Sequence, residues 1–262
     1  MRAPNRLGLR HLGSCVVILA LGFVPGASAG ADKQKAEVVP ASSDQYIIPR
    51  SRDEVPARIE LDSTPKEVTF DFPGADKFFQ PWNSWKESLS EQNGLRIGLD
   101  YQPVAQWSNN TIGEDNAAGG IFRGFFSWDT WNRGNPSRIG SIDMRIEHRH
   151  RLGTELPPES LAPNFGWLGT TAPDWSDQKW GLPIFMLRQR LDVGEAPIEL
   201  RVGRMSPFSQ FDITPYSDNL TVFQNNSIIL NPTIGYPSAG SFGVAGYVGI
   251  PRSKFYALGM VM

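Results

Sequence analysis

From Leu95 onward, polar and apolar residues alternate along the chain in runs separated by turn-rich segments. In 95–107 the odd positions carry Leu95, Ile97, Leu99, Tyr101, Ala105 and Trp107, and the even positions carry Arg96, Asp100, Gln102 and Gln106. In 141–152 the odd positions are Ser141, Asp143, Arg145, Glu147, Arg149 and Arg151, against Ile142, Met144, Ile146, His148, His150 and Leu152. Period two means β-strands with two unlike faces. Segment 121–131 sets Phe122, Phe126 and Trp128 against Arg123, Ser127 and Asp129, and 196–204 sets Ile198, Leu200 and Val202 against Glu199 and Arg201. Further strands are predicted over 180–193, 241–251 and 254–262, of which 241–251 reads as apolar on both faces. Two residues break the pattern: Val104 sits on a polar face, and Phe125 sits with the charges. The class is all-β and antiparallel. Alternation alone leaves two readings open, a sheet over a soluble core or a wall between lipid and water.

The strands are joined by short turns and by long connections, notably the Pro-rich 153–179 and the polar segment after Met205. Ahead of them, Trp82, Trp85 and Leu89 are spaced as one face of a helix, predicted over 75–93 with Asn83 or Ser84 as its cap and Gly94 as its stop. Residues 30–74 have no sustained period and read as a flexible leader, with a short strand near 58–72. The N-terminus has three arginines, an apolar core at 15–24 and an Ala27-Ser28-Ala29 site, the three regions of a secretory signal peptide. The predicted organisation is therefore signal 1–29, leader 30–74, helix 75–93 and β-region 94–262.

Composition narrows the field only partly. Mean hydropathy is −0.29, as in a soluble protein, but a transmembrane barrel also scores so because every second residue faces water. Removing residues 1–29 leaves 22 basic against 27 acidic residues, a net charge of −5, which disfavours nucleic acid as a partner. Cys15, the sole cysteine, leaves with the signal, so no disulfide framework or thiolate metal site is expected. No cofactor and no metal is expected. His148 and His150 lie on the apolar face, where packing or an interfacial girdle suits them better than a metal.

The order of motifs resembles the carbohydrate-selective porins of the OprB type. The run "WNSWKESLSEQNGLRIGLDYQPVAQWSNN…AAGGIFRGFFSWDTW" resembles that family's Trp-x-x-x-Leu helix, glycine, first strand, loop and Gly-Gly pair, through Trp85, Leu89, Gly94, Tyr101, Gly119 and Gly120. "IELRVGRMSPFSQFD" and "FQNNSIILNPTIGYPSAGSFGVAGYV" resemble later stretches of it, so the likeness covers about 75–262. It implies a sixteen-stranded outer-membrane barrel that admits mono- or oligosaccharides and is no enzyme, with sugars as transported solutes, outer-membrane lipid as surroundings, and monomers or homo-oligomers both possible. Sixteen strands with loops need on the order of 400 residues. The 233 left after the signal make about half a barrel, so the expectation is a partial one.

On that reading, Arg145, Glu147, Arg149, Glu199 and Arg201 are the first candidates to line the path, each lying opposite an apolar face. Arg96, Asp100, Arg123 and Asp129 come second. Charged and amide groups exchange hydrogen bonds with sugar hydroxyls, and arginine presents a planar fork of donors. The bland reading of each is a solvated charge, or one paired across strands. The competing functions are a secreted or periplasmic sugar-binding protein and a glycoside hydrolase. Asp143 and Glu147, four residues apart on one strand, would be about 13 Å apart, too far to be a catalytic pair by themselves.

Overall fold

The computed structural model describes residues 17–23, 54–63, 73–109, 111–167, 169–211, 220, 240–251 and 255–262. Its centre is one antiparallel sheet of β1 (Val17–Phe23), β2 (Leu95–Trp107), β3 (Asn116–Trp131), β4 (Gly140–Arg151), β5 (Lys179–Val193), β6 (Ala196–Met205), β7 (Ser241–Gly249) and β8 (Phe255–Val261). The strand order is β1-β8-β7-β6-β5-β4-β3-β2. From β2 to β8 each strand pairs with its sequence neighbour, as a meander of hairpins does. The sheet is open, with β1 and β2 at its edges. Among the described residues three α-helices accompany it: α1 (Val55–Ser63), α2 (Pro73–Asn93) and α3 (Pro207–Phe211).

The seven strands from Leu95 on match the alternating segments, with one shift of boundary. Residues 116–120, expected as part of a Gly-rich turn, belong to β3. Small side chains are needed there because neighbours close in on both faces. A Cβ at Gly120 would lie 2.2 Å from the Tyr101 hydroxyl, and one at Gly119 would lie 2.9 Å from Pro158 Cδ. A local turn signal and a close-packed strand look alike in sequence.

Two expectations ahead of the sheet need correction. The leader is not irregular throughout: 55–63 is helical; the rest of the strand expected near 58–72 lies outside the described residues. The amphipathic helix begins at Pro73, so Asn83 and Ser84 are interior to it and cap nothing. Gly94 does stop it, in a left-handed conformation (φ 69°), with its N–H bonded to Ser90 O at 2.9 Å. The apolar run read as the signal's core pairs with β8 while it is attached, from Val17↔Val261 to Phe23↔Phe255. It is an apolar, β-branched segment meeting an unpaired strand edge, and such an edge accepts any chain that fits.

The connections after β3, β5 and β7 (132–139, 194–195, 250–254) are short, those after β4 and β6 (152–178, 206–240) are long, and the one after β2 (108–115) is as short as 132–139. The turn between β5 and β6 is the tightest, with Val193 paired to Ala196 across Gly194-Glu195. All long connections thus leave the same end of the sheet, and α2 enters β2 at the opposite end.

The two faces have their usual burial reversed. On β4, Ser141, Asp143, Arg145 and Glu147 are buried, while Ile142, Met144 and Ile146 are only half-buried. On β5 and β6, Arg188, Glu199 and Arg201 are buried, and Leu187 and Leu200 are 47% and 46% exposed. The charged face is covered by α1, α3 and part of 154–178; the apolar face is bare. Strand β7 shows the same split, with Phe242, Val244 and Val248 bare and Ala245 and Tyr247 buried. It is therefore not apolar on both faces, since the Tyr247 hydroxyl joins the charged side.

Candidate functional site

The charged face carries all nine predicted path residues, and it carries them as a ladder of ion pairs. The ladder follows from register: Asp100, Arg123 and Glu147 are direct cross-strand neighbours on β2, β3 and β4. Arg123 grips Asp100 with two bonds, Nε to Oδ1 at 2.9 Å and Nη2 to Oδ2 at 2.6 Å. Glu147 lies between Arg145 (2.9 Å) and Arg149 (2.7 Å). Arg96 lies 3.5 Å from Asp129 and donates to Ser127 at 3.1 Å.

A deeper cluster centres on Arg201, which is fully buried. It donates to Glu199 through Nε at 2.7 Å, to Glu54 and Gln210 through Nη1 at 2.6 Å each, and to the Tyr247 hydroxyl at 3.0 Å. Its guanidinium also lies over the Tyr247 ring, 4.2 Å from the centroid. Arg188, directly opposite Arg201 on β5, is held by Asp143 at 2.8 Å, so the two like charges are separated by carboxylates. Buried arginines stay charged because each has a carboxylate at hydrogen-bond distance.

The structure reorders the candidates. Glu199 and Arg201 were first choices, yet their side chains are 1% and 0% exposed, and no solute can touch them in this arrangement. Arg145 and Glu147 are nearly as closed, at 7% and 6%. Of the first group only Arg149 stays within reach, at 18%; the second choices Arg96 and Asp129 are more open, at 35% and 21%. Arg123 is buried, and Asp100 keeps 13%.

What closes the ladder is a pair of lids. The first is α1, whose Arg58 reaches Asp100 at 3.0 Å while Glu54, just ahead of it, reaches Arg201. Its Val55 and Ile59 join Phe125, Ile184, Met186 and Met205 in the main apolar cluster. The second is the 154–178 connection. Trp175 packs on Ile121 with Val104 alongside, and its indole N–H donates to Gln102 O at 2.9 Å. Thr154 accepts from Ala118 N at 2.9 Å. The two breaks in the alternation are thereby explained: Phe125 lies under α1, and Val104 lies under Trp175.

This connection also brings two carboxylates to Arg149. Asp174 lies 3.4 Å from its Nη2. Glu159 is close enough for burial and Asp174 to push its carboxyl above the usual range, a rise that Arg149 partly offsets. The folded state then holds the Glu159 proton more tightly than the unfolded chain does, so stability from this group is lost as pH rises through the carboxylate range. Glu159→Gln is expected to make the connection more resistant to proteolysis at neutral pH and to change nothing once the medium is acid enough to protonate Glu159.

Sequence reasoning missed Arg188, Glu54, Arg58, Asp174, Gln210 and Tyr247. Arg188 shares the inward parity of Ile184 and Met186 and could have been found. The others come from a leader, a loop, α3 and a strand read as apolar. Asp143 and Glu147, weighed as hydrolase carboxylates, are each held by guanidinium groups, Asp143 by Arg188 and Glu147 by Arg145 and Arg149. Neither faces an open cleft, since both are buried. Among the described residues no group of three or more His, Cys, Asp or Glu is gathered.

The bare face has an order of its own. Tyr101, Phe122, His148 and Trp180 are successive partners across β2, β3, β4 and β5. His148 stands 4.7 Å from the Trp180 ring, and His150 stacks on Tyr101 at 5.8 Å with an Nε2···OH contact of 3.1 Å. At the other end a bulge between Asp129 and Trp131 turns Trp131 to this side, over Gly140. Arg204, next to the end of β6, is a charged residue on the same face, between Phe185 and Phe242. Fold and site together define a mainly antiparallel β-protein with a paired-charge face and a bare apolar face. No family model, curated protein or solved structure matches this chain.

Proposed function

We propose that this sheet is part of the wall of a bacterial outer-membrane barrel through which carbohydrates diffuse. The inverted burial carries the reading. A soluble sheet hides its apolar face and wets the charged one. Here the bare face presents Phe185, Leu187, Leu200, Val202, Phe242 and Val244 side by side, with Leu99 further along the sheet, far beyond the patch a monomer exposes to water. Lipid is the solvent that suits it.

Two further features support the same reading. The aromatic row at His148 and Trp131 over Gly140 lie eight residues apart on β4, about 26 Å along the strand. At the usual strand tilt this is about 20 Å of bilayer, near the roughly 25 Å apolar band of such barrels. Both long connections leave one end, as outer loops do, together with the shorter 108–115. The apolar run near the N-terminus, followed by its Ala-x-Ala site, reads as the export signal for that destination. Cleavage of that signal would take β1 away and bare β8; in lipid neither β2 nor β8 can remain an unpaired edge, so the wall needs further strands or a second copy to close it.

The paired ladder suits neutral, hydroxyl-rich solutes. It alternates donors and acceptors and offers no large field of one sign, so each hydrogen bond is exchanged for a similar one. Arg149, with Asp174 facing it, is the most open of the first-choice rungs. Fractionation should find the full-length protein in the outer membrane, and liposomes containing it should take up sugars. Arg149→Ala is expected to weaken the block of ion current by added sugar. Unchanged block would remove Arg149 from the path, and a soluble periplasmic product would end the pore reading.

A further inference from the structure

A ladder that guides solutes should lie open, yet α1 lies along it. We propose that residues 54–63 are a built-in stopper, seated on the wall at rest and leaving it when the path opens; this rests on the pore reading above. The seat is charge-matched. The segment brings one carboxylate, Glu54, to Arg201, and one guanidinium, Arg58, to Asp100. Both wall residues already have partners within the wall: Arg201 keeps Glu199, and Asp100 keeps Arg123. Departure of α1 therefore leaves paired charges behind it, where removal of an indispensable core helix would orphan them.

Val55 and Ile59 are the apolar residues α1 places in the main cluster, over Phe125 and its neighbours. The remaining polar partners would exchange protein for water in a wet channel at small net cost. Once bare, the rungs that α1 covers become reachable. The wall faces of Glu199, Arg123 and Asp100, and the side of Arg201 turned to Glu54, would then join Arg149 as sugar partners. The buried first choices of the sequence reading would thus line the path only in the open state.

A disulfide tests this directly. A Cβ at Gly98 would lie 3.3 Å from Ile59 Cγ1 and 3.7 Å from Ile59 Cα, close enough for a bridge. The variant Gly98→Cys with Ile59→Cys is made in the full-length protein with Cys15→Ser, which removes the sole native cysteine. Single-channel current in planar bilayers is read before and after reduction, with each single variant as control and a deletion of 54–63 alongside. The oxidised pair should stay closed, reduction should raise the current several-fold, and the deletion should match or exceed the reduced form. An oxidised pair that conducts like its reduced form overturns the stopper and leaves the pore standing. No current from the reduced pair or from the deletion overturns both.

Discussion

Replacing Arg201 by Met is expected to cost about 3–5 kcal/mol of folding free energy, the largest effect of any single substitution in the charged ladder. The guanidinium is fully buried and shared among Glu199, Glu54, Gln210 and Tyr247. Methionine fills much of the volume but deprives Glu54 and Glu199, each 1% exposed, of the cation they share. The loss is one of undercompensated buried charge, which makes it correctable. Adding Glu54→Gln and Glu199→Gln to Arg201→Met should restore most of the stability, because a buried ion cluster is worth little over a neutral one. Denaturant unfolding in detergent micelles measures both. A loss below about 1 kcal/mol in the single variant would mean that water reaches the cluster and screens it as at a surface.

Leu187→Arg separates a lipid-facing wall from a water-facing sheet. Leu187 lies on the bare face of β5, between Ile142 and Val202, and is 47% exposed. In water an arginine at such a site changes stability by no more than about 0.5 kcal/mol. In a bilayer it costs about 2–4 kcal/mol at the midplane and less toward the interfaces. Refolding the variant into vesicles should therefore lower its stability by about 2 kcal/mol, within that range for a site off the midplane. The same substitution on the charged face would not discriminate, since α1 and its neighbours already make that face intolerant. An unaffected Leu187→Arg protein would place the apolar face in water, and the sugar-binding or hydrolase readings would take precedence over the pore.

How the site was legible is clearest in the exceptions. Alternation located seven strands and put Arg123, Arg145, Glu147, Glu199 and Arg201 on one face, because a strand's parity is fixed by its backbone. Val104 and Phe125 looked like defects in that pattern. They are the points where Trp175 and Ile59 press on the wall. A pattern break can therefore mark a contact, but the sequence does not say with what. Trp175 lies in a Pro-rich connection and Ile59 in a leader, and neither segment has a period that ties it to the sheet.

The faces and strands were thus determined by the chain alone, through the two-residue repeat and the turn residues between runs. Parity was lost only at the bulges, where Trp131 and Trp180 turn outward against the local count. Accessibility was decided by tertiary structure. Whether Arg201 meets a solute or Glu54 depends on a segment 147 positions away in sequence. Local pattern carries no information about such a pairing, because it reflects which side a residue faces and not what covers that side.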